Sequence, residues 1–331
     1  MVTGGYYTGG GGAVGNGGVI LEDITVIDPP SLANKPGTPP SGIGWIWFNN
    51  SYGIRVRGGF TYLGANPNSS GSTVIVSDGV TFTEIDESFF ISTARGGGVA
   101  VSSGTGTIQI TNTQILGFNV GVNYGNTDGR SKLMTTNVVI GTDRGGGVEA
   151  YGGAQLFVNT PIYVDYGFID ALICCSRLGG VIKLLDSVSR INISDSEVHS
   201  LTIETITKNS PPQSDLLLTI EGSRITGSGS GPLINIPQEY ATNSTIRVRL
   251  INNEISKQAS SGEWPLVTVP NNVVFEMRGG NYVRMLNGFD VIIGLSQDLT
   301  SGFYEFSDNI IEAEAQRYTY STVVWRSMRH S

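Results

Sequence analysis

The chain has 331 residues, with 28 acidic against 20 basic side chains and a net charge of −8. Dense positive charge for a phosphate backbone is missing, so a nucleic-acid partner is not expected. An apolar fraction of 39% argues against wholesale disorder. No run of 18 apolar residues offers a membrane span. Glycine numbers 46, about twice the usual share of roughly 7%, and charged residues are 15% against about 25% in an ordinary domain.

Residues 1–18 hold nine glycines and two tyrosines. Such a segment loses much entropy on ordering and reads as an N-terminal arm that docks on a partner surface. It has neither a basic start nor an apolar run, so it does not read as a signal peptide.

From residue 19 onward an octet recurs: apolar, any, apolar, any, turn residue, any, any, apolar. It fits at 19–26, 54–61, 74–81, 108–115, 133–140, 156–163, 191–198, 218–225, 248–255, 275–282 and 304–311. The mean step is (304 − 19)/10, or 28.5 residues. The fifth position is Asp23, Gly58, Asp78, Asn112, Asn137, Thr160, Asp195, Gly222, Asn252, Gly279 and Asp308. All but Thr160 are Asn, Asp or Gly, the residues that accept a left-handed backbone at low cost. The alternation ahead of that position is period two, the mark of a strand with one buried face. A step near 28 residues is too short for a strand–helix–strand unit of about 30 or more, and stretches such as 180–188 are too short and β-branched for a helix. The reading is all-β: a single-stranded right-handed parallel β-helix, a solenoid of about eleven coils over residues 19–311. Apolar residues and the corner asparagines are expected to stack inward. Residues 312–331 would form a C-terminal cap or assembly segment.

The stretches IQITNTQI (108–115), VRLINNEI (248–255) and YEFSDNII (304–311) resemble the strand–Asn turn–strand segments of the pectate-lyase-like β-helix superfamily. That superfamily holds enzymes, tailspikes and adhesins, so the resemblance speaks for architecture more than for activity. It implies a sugar groove along the strand preceding each octet, with candidate outward residues Asn123, Glu149, Tyr151, Lys183, Glu204, Asn235 and Asp290. Glu149 and Lys183 are the acid–base candidates there. NTDG at 126–129 matches the opening motif of the polygalacturonases and makes Asp128 a further catalytic candidate. The Asp pair, Gly-His-Gly and Arg-x-Lys of that family are missing, and its chemistry needs a second carboxylate.

GWIWFNNSYG at 44–53 concentrates aromatic residues. Trp45 and Trp47, with Tyr151, are candidates for stacking on sugar rings, or the cluster plugs the core beneath the arm. Cys174 and Cys175 are the two cysteines, and as neighbours they suit no ordinary disulfide; they read as small buried hydrophobes. His199 and His330 lack metal-ligand spacing, so no metal site and no cofactor are expected. On the outer face, stacking would put Thr219, Arg249, Glu276 and Glu305 in one column and Glu221, Ile251, Arg278 and Ser307 in another. The Arg249–Glu276 pair reads as part of a solvated charged face. Together these features point to a structural or attachment protein. We expect a virion spike or fibre subunit, homotrimeric, meeting other virion proteins through its N-terminal arm and host surface glycans through its shaft, at a virion or cell exterior. The alternative is a polysaccharide lyase or glycoside hydrolase of the same fold.

Overall fold

The computed structural model describes residues 7–10, 18–28, 46–49, 53–64, 73–78, 80–92, 97–103, 106–125, 131–141, 162–205, 215–228, 231–236, 245–258, 265–270, 273–286, 293–295 and 302–313. Among them every regular element is a β-strand, and every strand pairing is parallel. Parallel neighbours need a crossover, and here the crossover is another strand. The chain winds as a parallel β-solenoid.

Three faces recur in each turn. On the first, Gly53–Arg57, Phe82–Asp86 and Thr107–Thr111 stack in register, as do Leu216–Glu221, Ile246–Ile251 and Val273–Arg278. One inward row therefore runs Val56, Ile85, Ile110 in the N-terminal half and Ile193, Ile220, Leu250, Met277 in the C-terminal half. All seven are at most 1% exposed. Each such aliphatic burial contributes about 1.5–3 kcal/mol, which explains why the period-two pattern holds its register. The second face begins after the corner. There Phe60 packs on Phe90 with ring centroids 5.4 Å apart. The third face includes Gly97–Ser103, Phe118–Gly125, Val267–Val269 and Ile293–Leu295.

Strands Ile162–Cys174 and Arg177–Ser194 are long because each bends across two or more faces without a loop. They pair with an offset of 20 residues, Ile173 on Ile193, well short of the mean step. The stretch 180–188 lies within the second of them.

The eleven regular coils expected are not found as one run. The solenoid has about five turns, fewer than the eleven expected, and the octet at 74–81 does not fall on the expected face. In place of 74–81, the first-face strand is Phe82–Asp86 with its corner at Glu87; Thr73–Asp78 belongs to the third face. The octet at 156–163, with its corner Thr160, lies outside the described residues except for Ile162 and Tyr163, which open a third-face strand; the left-handed corner that follows that strand is Cys175. Glu and Cys pay more than Asn or Gly for a left-handed backbone, so their sequences do not announce a corner.

At the corners themselves the expectation holds for nine positions: Asp23, Gly58, Asn112, Asn137, Asp195, Gly222, Asn252, Gly279 and Asp308 all have positive φ, from 46° to 67° at eight of them and 72° at Gly279. Their side chains do not stack inward, however. Asn112, Asn137 and Asn252 are exposed. The inward polar row lies just beyond the corner, at Ser88, Thr113, Ser176, Ser196, Ser223, Asn253 and Asn281, all at most 6% exposed. A left-handed residue turns the chain so that its own Cβ faces out and the residue after the bend faces in.

Of the N-terminal arm, Tyr7–Gly10 pairs in parallel with Ile46–Asn49, and Gly18 opens the first strand of the first face. Of residues 312–331, Glu312 and Ala313 close the strand Ile310–Ala313; the others lie outside the described residues.

Candidate functional site

A solenoid carries two kinds of column, and both are built from the same register. The inner column beyond the corners is a hydrogen-bonded ladder. Ser88, Thr113, Ser176, Ser196 and Ser223 each donate a hydroxyl to the carbonyl two residues earlier, at 2.6–2.9 Å. The same oxygens accept from the preceding coil, as Ser196 Oγ does from the Ser176 amide at 3.2 Å and Ser223 Oγ from the Ser196 amide at 3.1 Å. Further along, asparagine takes over. The Ser223 amide donates to Asn253 Oδ1 at 2.9 Å, and Asn253 Nδ2 donates to the Ile220 carbonyl at 2.8 Å. Asn281 Oδ1 accepts from the Asn253 amide, and Asn281 Nδ2 donates to Asn309 Oδ1 at 2.8 Å. These groups are satisfied internally, so this column holds the shaft together.

The outer column of the first face carries the charge. Thr219, Arg249, Glu276 and Glu305 stand in register, as the repeat requires. Arg249 Nε donates to Glu276 at 2.9 Å. Arg278 and Arg247 approach the same carboxylate at 3.6 and 3.9 Å. Glu276 is only 7% exposed, so this is not the freely solvated face expected. Three guanidinium groups share one carboxylate, and their outer edges face solvent. On the last described turn, in the column of Arg247 and Val274, Phe303 is exposed. Guanidinium forks match planar carboxylates and sulfates, and an exposed aromatic face suits the apolar side of a sugar ring.

The second face carries a different outer column, in which Arg177, Glu197, Arg224 and Glu254 alternate in sign from turn to turn. Arg177–Glu197 is a 2.8 Å pair and Arg224–Glu254 a 3.8 Å one. Exposed pairs contribute about 0–1 kcal/mol each, so this column helps register more than stability. In the turns nearer the N-terminus the same column holds Phe89, exposed, and Val139, which packs on Leu116.

Of the residues singled out from sequence, Asp128, Glu149, Tyr151 and Trp45 lie outside the described residues, as does Asp290. Trp47 falls on the strand Ile46–Asn49, between Thr8 and Val76. Lys183 falls on the third face, in register with Tyr163 on one side and Glu204 on the other. Asn123 leads into the same row through Tyr163. Stacking thus places Lys183 and Glu204 on adjacent turns. His199 is exposed, with Nδ1 3.4 Å from Thr226 Oγ1. Partial burial of its ring holds its pKa below the ordinary imidazole value. Tyr304 has its pKa raised by burial, and its hydroxyl has no hydrogen-bond partner among the described residues. Tyr282 donates to Glu312 at 2.6 Å, which raises its pKa. Among the described residues no cluster of three or more His, Cys, Asp or Glu able to hold a metal ion occurs, and no helix is long and apolar enough to cross a membrane.

Sequence reasoning missed the arginine cluster as a unit. It placed Arg249 against Glu276, but it put Arg278 in a separate column and assigned Arg247 to none. The signal was present in the two Arg-x-Arg and Glu-x-Arg triplets at 247–249 and 276–278. Comparison with protein-family models, with curated proteins and with solved structures finds no match in any of the three.

Proposed function

We propose that this chain is a structural attachment protein, a subunit of a homotrimeric virion spike or fibre whose right-handed, pectate-lyase-like solenoid forms the shaft. In this reading it works at a virion or cell exterior, meets other virion proteins through residues 1–18, and binds surface glycans along its outer columns. The observation that carries the reading is the Arg247–Arg249–Arg278 cluster on Glu276. It sits on a shaft whose inner ladder is saturated with hydrogen bonds. A rigid rod with charged groups repeating at about 4.8 Å suits the capture of a polymeric saccharide. The fixed Glu276 carboxylate holds the guanidinium groups in place and so lowers the entropy lost on binding.

A second reading, a polysaccharide lyase or hydrolase of the same fold, is favoured by one observation: Lys183 and Glu204 stand on adjacent turns of the third face. A base and an acid within reach of one substrate are what proton abstraction needs.

Light scattering combined with a glycan array and a turnover assay on acidic polysaccharides separates the two. The attachment reading expects a stable trimer that retains acidic glycans without degrading them, and weaker retention by Arg249→Ala. A monomer that cleaves an acidic polysaccharide, and loses that activity in Lys183→Met, would replace the first reading with the second.

A further inference from the structure

Cys174 ends the strand Ile162–Cys174, and Cys175 occupies the corner that follows, with φ 53°. The expectation of two buried hydrophobes is corrected here: Cys175 is exposed and Cys174 half-buried. At other corners the exposed left-handed position is held by Asp, Asn, Gly or Glu. Here it turns one thiol outward, and the two Sγ atoms meet at 2.8 Å. The backbone around them is fixed on both sides. The Asn137 amide donates to the Cys174 carbonyl and the Cys175 amide to the Ser194 carbonyl, each at 3.2 Å. The pair is therefore held together at an accessible bend by the same ladder that defines the fold.

We propose that Cys174 and Cys175 form a modification site, a vicinal dithiol oxidised reversibly by small disulfides of the glutathione type. The chemistry balances in two exchange steps. One cysteine, as thiolate, attacks a sulfur of the small disulfide RSSR, forms a mixed disulfide and releases one RS⁻. The neighbouring cysteine gives its proton to water and attacks the Sγ of that mixed disulfide, forming the Cys174–Cys175 bond and expelling the second RS⁻. The two released thiolates take up the two protons, so two electrons pass from the cysteine pair to RSSR, which leaves as two RSH. Adjacent Cα atoms lie about 3.8 Å apart across a trans peptide, closer than the roughly 4.4 Å lower bound of ordinary disulfides. The closed ring is consequently strained, and strained, exposed disulfides are the labile ones. That combination gives an easily reversed mark, unlike a structural cross-link. The hydrogen bond with Cys174 raises the Cys175 pKa, with smaller contributions from partial burial and from the nearby Asp195. Mildly alkaline conditions are therefore suited to the test.

The full chain has no other cysteine, so intact mass reports directly on this pair. The wild-type protein, incubated with oxidised glutathione and then alkylated, is expected to lose the mass of about two hydrogens and to take up no alkyl group; dithiothreitol restores both. Cys174→Ser and Cys175→Ser, which lack the second thiol, are expected to keep a stable glutathione adduct. Persistent glutathione adducts on the wild type would overturn the proposal, as would a chain that stays fully alkylatable or links to a second chain through a disulfide. The wild-type measurement stands alone if either variant fails to fold.

Discussion

Two amide stacks in this molecule use the same bond in opposite surroundings. Near the N-terminal end, Asn137 Nδ2 donates to Asn112 Oδ1 at 2.9 Å, and Asn112 Nδ2 donates to Asp86 Oδ1 at 3.2 Å, all on the outside. Near the C-terminal end, Asn253, Asn281 and Asn309 pass amide bonds through the interior. The outer stack exchanges bonds with water at little net gain. The inner stack has no water to fall back on, so each broken bond leaves a buried group unsatisfied, at about 1–3 kcal/mol. The inner serine and threonine rungs at 88–223 are an intermediate solution. Their hydroxyls return to their own strand, whereas asparagine is long enough to reach both neighbouring coils.

The largest effect is expected where the inner stack is cut. Asn281→Ala removes the acceptor of the Asn253 amide and the donor to the Leu250 and Arg278 carbonyls. Urea unfolding should show a loss of about 3 kcal/mol; a variant within 1 kcal/mol of the parent, on the scale of an ordinary surface substitution, would mean that the inner ladder does not bear on stability. Next comes the corner beside it. Asn252→Leu keeps every inner bond but forces a bulky residue to φ 51°, which should lower stability by roughly 1 kcal/mol, while Asn252→Gly restores it. Equal melting temperatures for the Leu and Gly variants would argue against corner strain. The smallest change belongs to the outer stack. Asn137→Gly deletes the bond to Asn112 yet keeps the positive φ of 52°, so its unfolding midpoint should move by no more than about 0.5 kcal/mol in free energy. A cost matching that of Asn281→Ala would erase the distinction between the stacks.

Much of this was legible in the residues. Val248 and Leu250 alternate with Arg247 and Arg249, which set a strand with one wet face before any fold was considered. Asn252 announced the bend. What the repeat could not show was which of two adjacent asparagines turns inward, because Asn252 and Asn253 are chemically identical and only the left-handed φ of the first separates them. Glu87 and Cys175 were illegible as corners for a related reason: the stacked strands above and below impose the conformation, against the preference of the residue. The candidate site was less legible still. Arg247, Arg249 and Arg278 converge because Ile246–Ile251 and Val273–Arg278 lie side by side, a neighbourhood that neither segment encodes alone.

By itself the sequence determined the strand content, the parallel winding and nine of the bends, since alternation and left-handed tolerance are local properties of the chain. Tertiary structure decided which polar residues face the interior, which arginines share Glu276, and that Cys175 is exposed. Those outcomes depend on register between coils some 20 to 40 residues apart, and hydrogen bonding across that gap, more than any residue's own preference, fixes it.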